Sequence, residues 1–445
     1  MKNIKAYFLI GIGGIGMSSL AQYLIFKGFK VYGYDRSSSE ITNLLQVKGA
    51  EIEFLFNESI KSLNKNYVKS EIKIIYSAAI KIQNPILKYF ISNGHMPLKR
   101  STFLASIVNK TESYAIAGTH GKTTTSAILT HIFKTINISF SAFVGGIMLP
   151  EKTNFIYNGF KRTVVEADEF DRSFLKLKPF TACITSIDAD HLDIYNDHES
   201  LKDAFFDFSK KVESKLIVHH SIPFDGLSYG LNVKADYVFE NYSLFSGGYI
   251  VDIKTPDKNF SNIFCKVTGK HNLENMLAAL ALAHQSGHDL DEIISTLGSF
   301  KGILRRMTTH KIDDKILIDD YAHHPTEIAA VNNTLREKYP DSIIEVVFQP
   351  HLFSRTRDFL GDFASELSKF DSVKLMEIYP AREKPIIGIE SSKIIKMITS
   401  KAEILEVKDF NKNLNTSNAD IIAVLGAGSI GVFMTEYLKT KSIYV

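Results

Sequence analysis

Short apolar runs alternate with segments of helical period from one end of the chain to the other, a pattern that argues for parallel α/β architecture throughout. The first run, Ala6 to Ile10, enters the glycine turn Gly11-Ile12-Gly13-Gly14-Ile15-Gly16, and a helix is predicted from there through Leu24. A second strand, Lys30 to Tyr34, ends on Asp35. Midway along the chain, Tyr114 to Ala117 leads into Gly118-Thr119-His120-Gly121-Lys122-Thr123-Thr124-Thr125, with a helix-compatible run from Thr123 to Phe133 behind it. Strands are predicted at Phe140 to Val144, Thr163 to Glu166 and Ala182 to Ile187, and later from Ile316, at Ile344 to Phe348, Val373 to Ile378 and Ile421 to Leu425. The alternation breaks at the polar Asn109-Lys110-Thr111-Glu112 and at the glycine- and cation-rich Gly298 to Arg306. Boundaries there divide the chain into 1–109, 110–300 and 301–445, and 445 residues are too many for one ordinary core.

Composition narrows the picture. With 45% hydrophobic and 23% charged residues the chain reads as soluble and globular, and a net charge of +3 gives nucleic acid no electrostatic footing. Cys183 and Cys265 sit in apolar strand-like runs and build neither a disulfide framework nor a CxxC site, which fits a reducing cytoplasm. The apolar N-terminal run passes into a glycine turn and not a cleavage site, and no run reaches the roughly 18 residues of a spanning helix, so no membrane is expected. Arginine is scarce, ten against 42 lysines, and four of the ten fall in Arg305-Arg306 and Arg355/Arg357. Arginine forks suit phosphate or carboxylate better than lysine does.

The loop from Gly118 to Thr125 has the chemistry of a triphosphate cradle. A strand-to-helix glycine turn aims backbone N–H groups at phosphate, Lys122 adds a cation and the Thr123 hydroxyl can ligate Mg2+. The strict GxxxxGK[ST] spacing is not met, because Ile116 stands where its first glycine belongs. Glu166 ends an apolar strand as a Walker-B carboxylate does, and Asp188-Ala189-Asp190-His191 follows the next strand. Thr123, Glu166 and His191 are the candidate magnesium ligands, although magnesium prefers oxygen and a capping histidine is the other reading of His191. Asp168, Glu169 and Asp171 can form a solvated acidic turn, the preferred reading for Glu169. At the N-terminus, the glycine turn followed by Asp35 spells a dinucleotide fingerprint, read either as an NAD or FAD site or as a close-packed turn without ligand. The C-terminal Gly426-Ala427-Gly428-Ser429-Ile430-Gly431 lacks a following strand and acid, and reads as a packing turn.

Seven motifs in order, GIGGIGM from Gly11, GTHGKTTT from Gly118, EADEFD from Glu166, DADHLD from Asp188, GKHNLEN from Gly269, DDYAHHP from Asp319 and QPHLFSRTRD from Gln349, together resemble the Mur ligases over nearly the full length. The resemblance implies an α/β enzyme of three domains: a Rossmann-like N-terminal domain holding a UDP-sugar, a central P-loop-type ATPase domain with a mostly parallel sheet, and a Rossmann-like C-terminal domain for the amino acid. It also implies an ATP- and Mg2+-dependent ligase of peptidoglycan synthesis. GIGGIGM, and DDYAHHP followed by QPHLFSRTRD, are most similar to the branch that joins L-alanine to UDP-N-acetylmuramate, in a monomer or weak homodimer. Carried over by motif, Gly118, Thr119, His120, Gly121, Lys122, Thr123 and Thr124 hold ATP phosphates, with His120 facing the acceptor. His271, Asn272 and Asn275 meet the adenine side, and Arg306 and Asp320 complete the nucleotide site. His323, Arg355 and Tyr321 position L-alanine and the acyl phosphate, while Gly13, Gly14, Gly16, Asp35 and Ser77 face the UDP end. Lys122, Glu166, His191, His323 and Arg355 are the implied catalytic set.

Three departures stand out. Leu352 replaces an arginine common after QPH, Met307 replaces an aromatic after Arg305-Arg306, and nothing selects among Lys202, Lys210 and Lys211 as the carbamylated lysine of some sister ligases. Three other functions compete with an L-alanine ligase: a ligase of the family's peptide-adding branch, an NAD(P)-linked oxidoreductase built on Gly11 to Asp35, and a nucleotide-gated binding protein.

Overall fold

The computed structural model describes residues 3–188, 195 and 197–442. The chain forms two compact units, one made of everything up to Asn241 with Val251–Ile263 and Asn275–Lys301, the other of Tyr242–Ile250, Phe264–Glu274 and everything from Gly302 on.

In the first unit a five-stranded parallel sheet runs in the order Glu51–Glu53, Lys30–Tyr34, Ala6–Ile10, Ile72–Tyr76, Leu98–Lys99. Its central strand is buried at every position, as a parallel strand covered on both faces must be. The two-residue period sorts its side chains: Tyr7 and Leu9 pack with Leu20, Leu24 and Phe103, whereas Phe8 and Ile10 pack with Ile74 and Phe90. The chain crosses from one side of Ala6–Ile10 to the other, which makes the C-terminal end of that strand a topological switch point.

The second sheet of this unit centres on Glu112–Ala117, with Thr181–Ile184 parallel on one side and Arg162–Ala167 parallel on the other. Phe140–Met148 extends it in parallel and then turns back antiparallel through Thr153–Tyr157. The expectation of parallel α/β alternation throughout fails after Lys215. Strands Lys215–His219, Leu227–Leu231, Tyr237–Phe245, Gly248–Lys254 and Asn259–Cys265 follow one another before the next helix, Lys270–His284. Polar exposed positions interrupt them, Asn241 and Ser243 in Tyr237–Phe245 among them, so they lack the continuous apolar run that marks a buried parallel strand.

A buried polar network joins helix Ile15–Phe26 to the hairpin of the second sheet. Asn154 Nδ2 donates to the Ile15 carbonyl at 2.5 Å and to Ser18 Oγ at 3.0 Å, and Gln22 Nε2 donates to Asn154 Oδ1 at 2.8 Å. Thr153 Oγ1 and Lys48 Nζ both donate to Gln22 Oε1 at 2.8 Å.

The second unit carries a six-stranded sheet in the order Thr308–Ile312, Lys315–Asp320, Ile421–Leu425, Ile344–Phe348, Ser372–Leu375, Lys401–Ile404, parallel except for the first hairpin. Alternate residues again feed two cores, with Ile318, Val346 and Ala423 on one face and Leu317, Val347 and Val424 on the other. Helix Pro325–Lys338 starts with proline in its first turn, and Glu327 accepts the His324 N–H at 3.2 Å in a capping box. Among the described residues no helix is long and apolar enough to cross a membrane.

Candidate functional site

Strand Glu112–Ala117 delivers Gly118 at φ +135°, and helix Lys122–Thr135 begins after Gly121 at φ +83°. A Cβ on Gly118 would collide with Thr185 Oγ1, and one on Gly121 with Asn275 Oδ1, so the turn needs glycine at both places. The loop is lashed to the segment leaving the neighbouring strand. His120 N–H donates to Ser186 Oγ at 2.9 Å, Thr185 Oγ1 donates to the His120 carbonyl at 2.5 Å, and Asp188 N–H donates to Thr119 Oγ1 at 3.0 Å. The His120 ring Nε2 lies 3.5 Å from Asp188 Oδ2. The first amides of helix Lys122–Thr135 have no partner within the helix, which leaves a rigid array of donors at the end of a sheet strand.

Two further carboxylates attend this loop. Glu166, at the end of strand Arg162–Ala167, accepts from Thr123 Oγ1 at 3.1 Å, Ser126 Oγ at 3.1 Å and Gly145 N–H at 2.5 Å. Glu169 corrects the expectation of a solvated turn: it is fully buried and receives Lys122 Nζ on both oxygens, at 2.9 and 2.8 Å. Burial opposes the Lys122 charge, but Glu169, Asp168 and Glu166 together hold its pKa above the ordinary lysine value. The sequence did carry a signal for Glu169. It stands three residues beyond a strand-end carboxylate, although its pairing with Lys122 is visible only in the fold.

At the switch point of the first sheet, Gly13 N–H donates to Asp35 Oδ2 at 2.8 Å, and a Cβ on Gly11 would touch Ser77 Oγ at 3.2 Å. The structure thus sets Asp35 against Gly13 and Ser77 against Gly11 of the same turn. Gly14 caps helix Ile15–Phe26 with no side-chain bond, and the Arg100 guanidinium lies so close to Gly16 that a Cβ there would meet it at 2.8 Å. Arg100 went unnoticed in the sequence, yet it follows strand Leu98–Lys99 directly, at the same strand edge as the other candidates. Its guanidinium is 3.9 Å from Asp168.

Asn275 belongs to this unit and sits beside Gly121, where its Oδ1 accepts from Thr125 Oγ1 at 3.3 Å. His191 lies outside the described residues. Of the three lysines left open above, Lys202 lies 3.9 Å from Glu199, and Lys210 lies 3.9 Å over the Phe206 ring.

The second unit gathers another set. Asp320 accepts Met307 N–H at 2.6 Å and Ala322 N–H at 2.8 Å, tying the turn that bears Arg306 to the end of strand Lys315–Asp320. Burial raises the Asp320 carboxyl pKa and pushes that of Asp319 up to about 6, against the pull of Arg305. The Arg306 guanidinium stands 5.1 Å over the Tyr321 ring, whose edge meets His323 at 5.3 Å. His323 Nδ1 is 3.0 Å from the Tyr321 carbonyl, and its ring approaches His351, which stacks on Tyr379 and lies 3.5 Å from Arg355. His351 and Tyr379 both follow sheet strands and close the cluster around the buried Arg355, and neither is among the residues the motifs select. His271 and Asn272 belong to this unit as well, and burial holds the His271 imidazole down at about 4. Among the described residues no group of three or more His, Cys, Asp or Glu side chains is arranged to hold a metal.

The C-terminal glycine turn is filled by its own side chains. Gln349 Oε1 accepts Ile430 N–H at 2.9 Å at the start of helix Ile430–Thr440, and the Arg305 guanidinium lies against Gly431 and bonds the Gly426 carbonyl.

Three family models match the chain: the Mur ligase family catalytic domain over residues 7–111, the Mur ligase middle domain over 116–283 and the Mur ligase glutamate ligase domain over 305–428. Relatives called UDP-N-acetylmuramate–L-alanine ligase include one from Christiangramia forsetii, 43% identical over 97% of this chain and 96% of its own. One from Flavobacterium johnsoniae is 44% identical over 99% and 98%. The crystal structure of UDP-N-acetylmuramate–alanine ligase from Thermotoga maritima matches with a TM-score of 0.82 at 27% identity, covering 98% of this chain and 99% of that one. A murein peptide ligase from Psychrobacter arcticus shares the fold, with a TM-score of 0.72 at 21% identity over 99% of both chains.

Proposed function

We infer that this chain, which belongs to the Mur ligase family, joins L-alanine to the lactoyl carboxylate of UDP-N-acetylmuramate with ATP as the driving reactant, in peptidoglycan synthesis. The observation that carries this reading is the pair of relatives of that activity, at 43% and 44% identity over essentially the whole chain. A carboxylate is a poor electrophile until one of its oxygens becomes a phosphate leaving group. The lactoyl oxygen would attack the γ-phosphorus, the bond to the β,γ-bridging oxygen would break and ADP would leave. The amine of L-alanine would then attack the acyl carbon, lose a proton and expel inorganic phosphate.

The chain's own residues suit these steps. Gly118 to Thr124 would wrap the phosphates with backbone N–H groups, and Lys122 would meet the charge that develops on the transferred phosphoryl oxygens. Thr123 and Glu166 present two oxygens 3.1 Å apart, the donor type magnesium prefers. A Mg2+ held there would neutralise phosphate charge. Gly13, Gly14 and Gly16 would face the UDP diphosphate, with Asp35 fixing the turn from behind and Ser77 beside it. Arg306, Asp320, Tyr321, His323 and Arg355 would serve the nucleotide and the amino acid. Family matches ending at 111 and 283 and resuming at 305 support domain limits near 109 and 300. Two buried free cysteines support a reducing, cytoplasmic setting.

A substrate matrix tests the reading: phosphate release measured with UDP-N-acetylmuramate against L-alanine, glycine, L-serine and the peptide-branch tripeptide. Release should require UDP-N-acetylmuramate and L-alanine together. Release that ignored either, or that followed the tripeptide instead, would overturn it.

A further inference from the structure

We propose that Glu169 is an internal stand-in for the nucleotide: a buried carboxylate that occupies Lys122 until phosphate oxygens take its place. The inference rests on the assignment of the Gly118–Thr125 loop to ATP. Both Glu169 oxygens meet Lys122 Nζ, at 2.9 and 2.8 Å, and the same ammonium donates to the Gly118 carbonyl at 2.5 Å. The ammonium is therefore folded back onto its own loop and its donors are in use, where a triphosphate site needs them directed at ligand.

The two partners differ in freedom. Glu169 rides on a turn fixed from several sides: Tyr195 Oη donates to its carbonyl at 2.6 Å, and Ser173 Oγ and Phe174 N–H donate to the Asp168 carbonyl at 2.9 and 3.0 Å. Asp171 and Arg172 hold left-handed conformations at φ +57° and +51°, and Lys99 pairs with Asp171 at 2.9 Å. Lys122, by contrast, ends a flexible four-carbon stem. When nucleotide enters, the lysine moves and the carboxylate stays, a buried anion next to phosphate oxygens. Part of the attraction between Lys122 and ATP is thus cancelled in advance, which weakens ground-state binding while keeping the cation charged and in place.

The sign of one measurement separates this role from a purely structural one. Titration calorimetry with a non-hydrolysable ATP analogue and Mg2+ compares the wild type, Glu169→Gln, Glu169→Asp and Lys122→Ala. Removing the competing charge in Glu169→Gln should tighten the analogue at least fivefold and lower KM for ATP while kcat falls, with KM for UDP-N-acetylmuramate and L-alanine unchanged. Glu169→Asp, which keeps the charge but shortens its reach, should tighten binding by less and carries the test if the glutamine variant does not fold. Unchanged or weaker affinity in both variants overturns the stand-in role. Unchanged binding and turnover in Lys122→Ala would instead overturn the ATP assignment itself.

Discussion

Replacing Asn154 with alanine should cost this protein about 2 kcal/mol of stability. The side chain is 1% exposed and joins helix Ile15–Phe26 to the hairpin through three hydrogen bonds. Truncation strands the Gln22 amide, itself 3% exposed, and takes one donor from the Ile15 carbonyl, which keeps Ser18 Oγ at 2.9 Å. A buried group left without its partner costs about 1–3 kcal/mol, which sets the size of the loss. Because the chain contains no tryptophan, urea unfolding is best followed by far-ultraviolet circular dichroism. The Gln22→Ala and double variants complete a cycle, in which the two losses should overlap by at least about 1 kcal/mol. The damaged turn lies next to the glycines proposed for UDP, so KM for UDP-N-acetylmuramate should rise more than KM for ATP. A loss below about 0.5 kcal/mol, the level of an ordinary surface substitution, would refute the reasoning.

Lys122→Ala should lower turnover more than about 100-fold, the loss of one preorganised charge donor worth about 3 kcal/mol, read from phosphate release at saturating substrates. Arg355→Lys should raise KM for L-alanine more than KM for ATP, since lysine lacks the planar fork that grips a carboxylate; equal effects in steady-state assays would count against that placement. For His271 the folded pKa, about 4, lies below the unfolded value of about 6.5, so the unfolded chain binds the proton first. Stability is therefore lost as pH falls from about 6.5 to 4, and His271→Gln should flatten that part of a urea-midpoint profile.

The sequence disclosed most clearly the parts of the molecule in which local chemistry and tertiary structure agree. The strands Ala6–Ile10, Ile344–Phe348 and Ile421–Leu425 match the predicted limits, because a strand buried on both faces is an unbroken apolar run. The glycines of the turns at Gly11 and Gly118 were legible for a similar reason: positive φ or close approach leaves few alternatives to glycine. What stayed hidden depends on partners distant in sequence. Glu169 looks like part of an acidic surface turn until Lys122, 47 positions away, is folded against it. Arg100 gains meaning only beside Gly16, and His351 only between His323 and Tyr379. The strands from Lys215 to Cys265 escaped because their half-exposed faces carry polar residues that read as loop.

The chain spells nearly the same glycine turn twice, and the folded protein occupies different amides in the two spellings. At the C-terminal turn, a glutamine carbonyl takes a helix amide and an arginine plane covers the glycine, so the seat is taken by the protein itself. At the N-terminal turn Arg100 lies against Gly16 in the same way, but the amide taken is that of Gly13, ahead of the helix, by Asp35. A diphosphate mimic is therefore to be judged at each glycine turn by which backbone amide the protein already uses, a criterion that motif spelling alone does not supply.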